Sequence, residues 1–438
     1  MASEPLIDPV LLRLPPGQHG LDRSDVRRSQ QARLQLAMID CVTNEGYANT
    51  RLRDLARVAG VSPNVFSTIF RSKEQCFLET HDAIAAVEIE RVREAVAGAA
   101  GDWRDQLLAG IAAFLGVVAS RPAAARLALV EIHAVGARAL EHQQATLDAH
   151  EHLIATIFTG APHGASVGET TRKALVAGAR GVVQHQLLEG QASALPELAG
   201  PIVRWAGSYH APLPGTIPEP FARGRRGPAS LPEVPVVAPR PEARVLGHRA
   251  RIMQAVAALS CEQGYAALRM PAIAARAGVS NQTFYEHFPN KHEAFMACYD
   301  RVSRRALAAV LSSFQAAPSW PEAVRASIET LLEHIARDPE FARLGLFEVL
   351  AAGSDARRRA NDRAEAFTAM LTTGAPREGD VPPRLLGGLV AGGIWGVIQH
   401  HIIHGRARRL PELTPALTYV ALAPFIEAED AYRMAVGA

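Results

Sequence analysis

Residues 249–295 lie, without a gap, on an earlier stretch of the same chain when 218 is subtracted from their numbers. Gly264 and Tyr265 fall on Gly46 and Tyr47, and Ala274 falls on Ala56. Gly278, Val279 and Ser280 fall on Gly60, Val61 and Ser62, while Phe284, Phe288 and Lys291 fall on Phe66, Phe70 and Lys73. The correspondence returns twice farther on: residues 122–131 (PAAARLALVE) answer 339–348 (PEFARLGLFE) at an offset of 217, and 181–198 answer 396–413 at 215. A repeat of this extent marks one supersecondary plan used twice, and any fold proposed for the chain has to be built from two alike halves. The 438 residues, 48% of them hydrophobic, are more than one ordinary domain needs and enough for separate packed cores.

The best-preserved part of the repeat carries helix punctuation. Gly278 ends the short helix expected before it, and Ser280 is placed to cap the next one, with Val279 and Phe284 as a hydrophobic staple across the cap. The first copy repeats this with Ser62, Val61 and Phe66, and adds Pro63 at the first helical position, where a missing N–H costs nothing. Helix, glycine turn and capped helix make a helix-turn-helix, whose second helix presents its N-terminal side chains to the major groove. Those side chains are Asn281, Gln282 and Thr283, followed by Tyr285 and His287; Asn and Gln suit adenine. Asn290 with Glu293, and Ser72 with Gln75, read as capping boxes that leave Lys291 and Lys73 at a positive helix end.

Residues 249–295 resemble the DNA-binding domain of the tetracycline-repressor-like (TetR/AcrR) regulators. The resemblance rests on Gly264-Tyr265, Ile273-Ala274, the run Ala277, Gly278, Val279, Ser280, and then Tyr285, Phe288 and Lys291 in matching spacing. It implies an all-α fold in which each helix-turn-helix domain is followed by a helical ligand and dimerisation domain. It also implies DNA contact by Arg269, Ser280, Asn281, Gln282, Thr283, Tyr285, His287 and Lys291, and by their counterparts Arg51, Ser62, Pro63, Asn64, Ser67, Thr68 and Lys73. The first copy departs from the pattern at Ser67, where the family has Tyr. Arg51 and Arg269 stand where the family has Ser or Thr, bringing a long cation toward phosphate at the expense of a cap.

Around these domains we expect a disordered arm (1–25), a first DNA-binding domain (26–80) and its regulatory domain (81–210). A Pro-rich linker (211–245), a second DNA-binding domain (246–298) and a second regulatory domain (299–438) follow. Arg23, Arg27 and Arg28 belong to the arm or just beyond it, and the first helix is expected near 29–44. Extended, the linker, with Arg223, Arg225 and Arg226, reaches on the order of 100 Å at roughly 3.1 Å per residue, enough for the halves to pair within one chain. Such a tether raises the effective concentration to around the millimolar scale, favouring a monomeric pseudo-dimer over a homodimer.

The resemblance places a small-molecule effector site in the regulatory domains. Candidate walls are Trp103, Phe114, Leu115, Leu127, Ile132 and Phe158, with Phe314, Trp320, Phe341, Phe347, Phe367 and Met370 in the second copy; a plain core uses the same residues. Gly178 with Gly181, and Gly393 with Gly396, put small residues a turn apart on one helix of each copy, a pattern suited to close helix approach at the pseudo-dimer interface.

Other chemistry is not indicated. Cys41, Cys76, Cys261 and Cys298 have no metal-ligand spacing and read as reduced thiols of a cytoplasmic protein. His400, His401 and His404 have a spacing able to hold a metal, but read as a polar stripe, and His142, His150 and His152 as solvated helix positions. No phosphate loop, nucleophile elbow or acid pair points to an enzyme, no cofactor or metal is called for, and no uninterrupted apolar stretch is long enough for a membrane. The net charge of +2 is small, yet residues 26–80 and 244–297 each carry +3. The expected function is transcription regulation through a double-stranded DNA operator, as a repressor released by a small apolar ligand and reading an asymmetric site. The competing reading, supported by Ser67, is a ligand-binding or protein-interaction module with degenerate readers.

Overall fold

The computed structural model describes residues 22–162, 164, 167–221, 247–338, 341–375 and 381–437. The expected arm up to residue 21, the linker from 222 with its three arginines, and the side chain of Phe341 lie outside the described residues. Helices and turns make up the described chain, with no strand among them. The first copy runs α1 (Arg23–Glu45), α2 (Leu52–Val58), α3 (Pro63–Ile69), α4 (Lys73–Gly98), α5 (Trp103–Ser120), α6 (Pro122–Leu129), α7 (Ala137–Thr159), α8 (Glu169–Leu188) and α9 (Ala199–Gly207). The second runs α10 (His248–Gln263), α11 (Met270–Ala277), α12 (Asn281–His287), α13 (Lys291–Ala316), α14 (Trp320–Arg337), α15 (Ser354–Thr372), α16 (Pro383–Ile403), α17 (Thr414–Leu422) and α18 (Ala428–Val436).

Helix α1 begins at Arg23, not near residue 29, so Arg23, Arg27 and Arg28 stand on a helix rather than in an arm. Its first turns project beyond the core and show no apolar period; Asp25 at the positive end, paired with Arg28, supports them instead. Gly46, at φ 75°, ends the helix.

The chain divides into two compact units that do not follow the repeat: residues 1–153 with 183–203, and 154–182 with 204–438. In the first, Leu34, Met38, Val42, Leu55, Phe66, Phe70 and Phe77 form the core of the helix-turn-helix domain, and Leu127 and Ile132 belong to the same cluster. Leu127 and Ile132 are therefore core of the DNA-binding domain rather than walls of an effector pocket. The cause is α6, which turns its apolar face onto α1. Truncating a buried aromatic here, Phe66 for example, removes about 3–5 kcal/mol.

The second unit has its own helix-turn-helix core, with Phe284 and Phe295 wholly buried. In the same unit, residues 174–182 of α8 lie on α16 at glycine contacts: a methyl on Gly392 would stand 3.3 Å from the Gly178 Cα, and one on Gly181 3.5 Å from the Gly392 Cα. Beside them Tyr209 accepts from the Trp205 indole at 3.1 Å and donates to the Val420 carbonyl at 2.8 Å, which satisfies the polar ends of two buried aromatics. Helix α16 is long and apolar enough to cross a membrane, but it is mostly buried and serves as the core helix of this unit.

Candidate nucleic-acid interface

Residues 270–287 fold as read. Gly278 closes α11 in the left-handed conformation (φ 63°, ψ 42°), and the Ser280 hydroxyl accepts the Thr283 N–H at 3.0 Å. With Phe284 buried beneath it, α12 exposes Asn281, Gln282, Tyr285, Glu286 and His287, while Thr283 is half-buried. The Gln282 amide donates to Glu286 at 3.3 Å, and the His287 ring lies 6.1 Å from that of His248. Helix α3 has the same build, with Ser62 accepting from Val65 N–H at 3.4 Å, and it exposes Pro63, Asn64, Ser67 and Thr68. Its hydroxyls turn back on the helix: Ser67 donates to the Pro63 carbonyl at 3.4 Å and Thr68 to that of Val65 at 2.7 Å.

Arg51 and Arg269 stand exposed just before α2 and α11, and neither caps its helix. Arg269 also donates to the Ala266 and Leu268 carbonyls at 3.0 and 3.1 Å, so its guanidinium is held near the helix start.

The lysines differ from expectation. Lys73 donates to the carbonyls of Tyr47 and Thr50 at 2.8 and 3.0 Å with its ammonium over the Tyr47 ring, and Lys291 donates to Leu268 at 3.0 Å and lies over Tyr265. Both are half-buried, and burial holds their pKa below the usual lysine value, with the nearby Arg269 adding to the effect on Lys291. Lys73 and Lys291 tie the loop after the first helix to the helix after the reader, a structural role the sequence did not announce.

Two carboxylates complete the frame. Glu131 accepts the Tyr47 N–H at 3.2 Å, and Glu348 accepts the Tyr265 N–H at 2.8 Å while lying 3.6 Å from the Arg343 guanidinium. Both are buried, and both sit at the offset of 217 within the second repeated stretch. Burial pushes the Glu348 carboxyl up from its ordinary value, against the pull of the Tyr265 N–H and Arg343. Sequence reading passed over them because an acid at the end of an apolar run looks like a helix-end solvent residue until its partner, more than 80 positions earlier, is in place.

The model of the bacterial regulatory proteins of the tetR family matches this chain at residues 40–80 and again at 252–298. The chain carries two tetR-family DNA-binding domains. A curated relative, the HTH-type transcriptional activator FasR of Mycolicibacterium smegmatis, is 30% identical over 100 residues, which are 23% of this chain and 45% of the relative. The chain thus spans about half the length of the curated relative it matches. Among solved structures, FadR from Bacillus subtilis in complex with stearoyl-CoA is 17% identical, with 40% of this chain and 96% of that one covered at a TM-score of 0.36. A TetR-like regulator from Rhodococcus sp. RHA1 is 18% identical, with 43% and 97% covered at a TM-score of 0.36.

Outside the tetR-family domains, the other expected site residues separate. In the first unit Trp103 is buried with the Arg104 guanidinium 4.4 Å from its ring centroid, and half-buried Phe114 meets the His150 ring edge-on at 5.9 Å. Phe158, in the second unit, stacks on His210. There also, Phe314 is half-buried and Phe347, Phe367 and Met370 are buried, with the Phe367 and Trp395 rings 5.9 Å apart. The glycines do meet as a group: Gly178 and Gly181 face Gly392 and Leu389, Gly393 faces Ala174, and Gly396 faces Ala177.

The histidines need correction. His150 bonds the buried Glu88 at 2.8 Å and His142 bonds Asp82 at 2.8 Å, so neither is a merely solvated position. His400 and His401 are buried; burial first, then nearby positive charge, chiefly Lys173 for His400 and Arg406 for His401, holds both well below the ordinary imidazole pKa, His401 at about 3.

Proposed function

We propose that this chain is a sequence-specific transcriptional regulator whose two tetR-family domains read the unlike halves of one operator. The observation that carries the reading is the pairing of α3 with α12: caps, staples and cores agree, while the exposed faces differ at nearly every position. Asn281 and Gln282 supply bidentate chemistry for adenine, whereas Pro63, Asn64 and the half-buried Val65 and Ile69 favour van der Waals contact with a thymine methyl and backbone positioning. Arg51 and Arg269 supply phosphate contact. Close approach of α8 and α16 supports both readers being furnished by one chain, as a monomeric pseudo-dimer. A protein acting on an operator in this way would work in the cytoplasm.

The effector is a small, mainly apolar molecule received by the second regulatory domain beside Phe347, Phe367 and Met370. Close by, the Trp395 indole N–H is buried and has no hydrogen-bond partner among the described residues, which favours an effector with an acceptor atom. Release of repression by that effector is part of the proposal; because FasR is by name an activator, a reporter with and without the chain decides the sign.

Selection of bound sites from random duplexes, followed by salt titration of the winner, tests the reading. An asymmetric site bound with steep salt dependence supports it. Absence of any DNA binding favours the second reading, a protein-interaction module, for which the inward-turned hydroxyls of Ser67 and Thr68 speak.

A further inference from the structure

Two histidines and one aspartate converge between α4 and α7 in the first unit, outside the DNA-binding face. Asp82 Oδ1 lies 3.2 Å from His81 Nδ1 and 2.8 Å from His142 Nδ1, and one ligand atom from each of the three falls within 4.8 Å of the others. His81 is buried, His142 is half-buried and Asp82 is exposed. The three are therefore backed by the protein on one side and open to water on the other.

We propose that His81, Asp82 and His142 form a binding site for a divalent transition metal of the zinc class. Ligand atoms about 2.0–2.1 Å from a tetrahedral zinc stand roughly 3.3 Å from one another. The two Asp82–imidazole separations, 3.2 and 2.8 Å, are close to that spacing, and all three ligand atoms lie within 4.8 Å of one another, so an ion would draw the cluster in around itself. Two imidazole nitrogens and one carboxylate oxygen with a fourth position open to water is the donor set of an exchangeable site rather than a closed structural one. Without a metal, one carboxylate oxygen faces two imidazole nitrogens, and each ring has to carry a proton on Nδ1 to bond it. A metal takes the place of both protons on Nδ1, each of which passes to Nε2 of its own ring or, from a ring that was cationic, to solvent, and it neutralises the carboxylate.

The second copy shows what the seam looks like without this chemistry. Asp82 answers to Asp300, His81 to Tyr299 and, at the offset of 217, His142 to Arg359. Asp300 is bonded by Arg359 at 3.3 Å and lies 3.7 Å from Arg363. Both copies hold an acid on the helix that leaves the reader against the helix across the seam. One uses arginine, permanently charged; the other uses imidazole, the commonest metal ligand. Because α4 starts at Lys73, metal at this seam acts on the helix that braces the first reader.

The test is a zinc titration of the full-length, chelator-stripped chain against a chromophoric competitor, repeated with cobalt to read its visible absorption. Expected are a single ion per chain with a dissociation constant below about 10 μM and a cobalt spectrum of tetrahedral intensity. His142→Gln and Asp82→Asn should each weaken binding by at least about tenfold. His142→Arg installs the arrangement of the second copy, so it should keep the fold, judged by thermal melting, and abolish binding. His404→Gln, in the other histidine cluster, should change nothing. Zinc binding weaker than that limit, binding that survives His142→Arg, or loss of binding on His404→Gln would each overturn the proposal.

Discussion

At the scale of single residues, side chains that look interchangeable on the surface divide into those that face outward and those the domain uses for itself. Asn281 and Gln282 face outward, and replacing either by Ala is expected to cost about 1–3 kcal/mol on the preferred operator and to relax base choice there, measured by competition binding across single-base variants. Lys291 is used internally. Lys291→Ala should lower the thermal stability of the second DNA-binding domain, by about 1–3 kcal/mol for a charged donor lost from a backbone acceptor, as well as affinity. A melting temperature equal to the parent's would restore the plain phosphate-contact reading. Glu348 adds a pH dependence whose sign follows from its burial. Its folded-state pKa is raised, so its favourable contribution is complete below the ordinary carboxylate value near ~4.3 and is lost as pH rises through the folded value. Glu348→Gln keeps an acceptor for the Tyr265 N–H without the buried charge. In melts from pH 4 to 7, the parent should lose ground to this variant as pH rises; a constant difference would contradict that assignment. The caps at Ser62 and Ser280 were legible because their partners lie three residues away. The roles of Lys291, Glu131 and Glu348 were not, since their partners stand 23 to 84 residues off and only the fold brings them together.

At the scale of elements, periodicity, glycine and proline placed the helices well wherever a helix has one apolar face. They failed at the ends that have none: α1 starts at Arg23 on charge pairing, which no apolar period announces. They also misassigned α6, whose Leu127 reads as pocket or core with equal ease until α1 is seen beneath it. The glycine pairs on α8 and α16 show the reverse case, a weak compositional hint that becomes a contact. Their spacing has a mechanical reading. Because a Cβ at Gly393 would lie 2.8 Å from the Ala174 carbonyl oxygen, Gly393→Leu cannot be absorbed by a side-chain shift and should part the two helices. A fall in thermal stability, together with faster amide exchange in 174–182 and 387–396, is the expected result. Unchanged protection in those segments would show that the two helices do not depend on this contact.

At the scale of the whole molecule, duplication with divergence predicts the form of the DNA site. A symmetric dimer reads a palindrome with half-sites spaced by whole turns of DNA, roughly 34–36 Å each, whereas two unlike readers on one chain have no such constraint. Transplanting residues 281–287 onto 63–69 should move the preferred operator toward a palindrome of the stronger half. A natural protein that already selects a perfect palindrome would reduce the divergence of α3 to drift. Solution mass at low concentration should equal that of a single chain, and twice that mass would transfer the pairing to two chains. The meeting of residues 174–182 with α16 then bears on how the protein behaves when scarce. A regulator assembled from separate subunits falls apart on dilution, and well below its dissociation constant the amount of active species drops as the square of the subunit number. Here the contact joins segments of one covalent chain, so occupancy of the operator should fall only in proportion to copy number. A cell holding a few such molecules would keep a graded response where an ordinary dimer would already have gone silent.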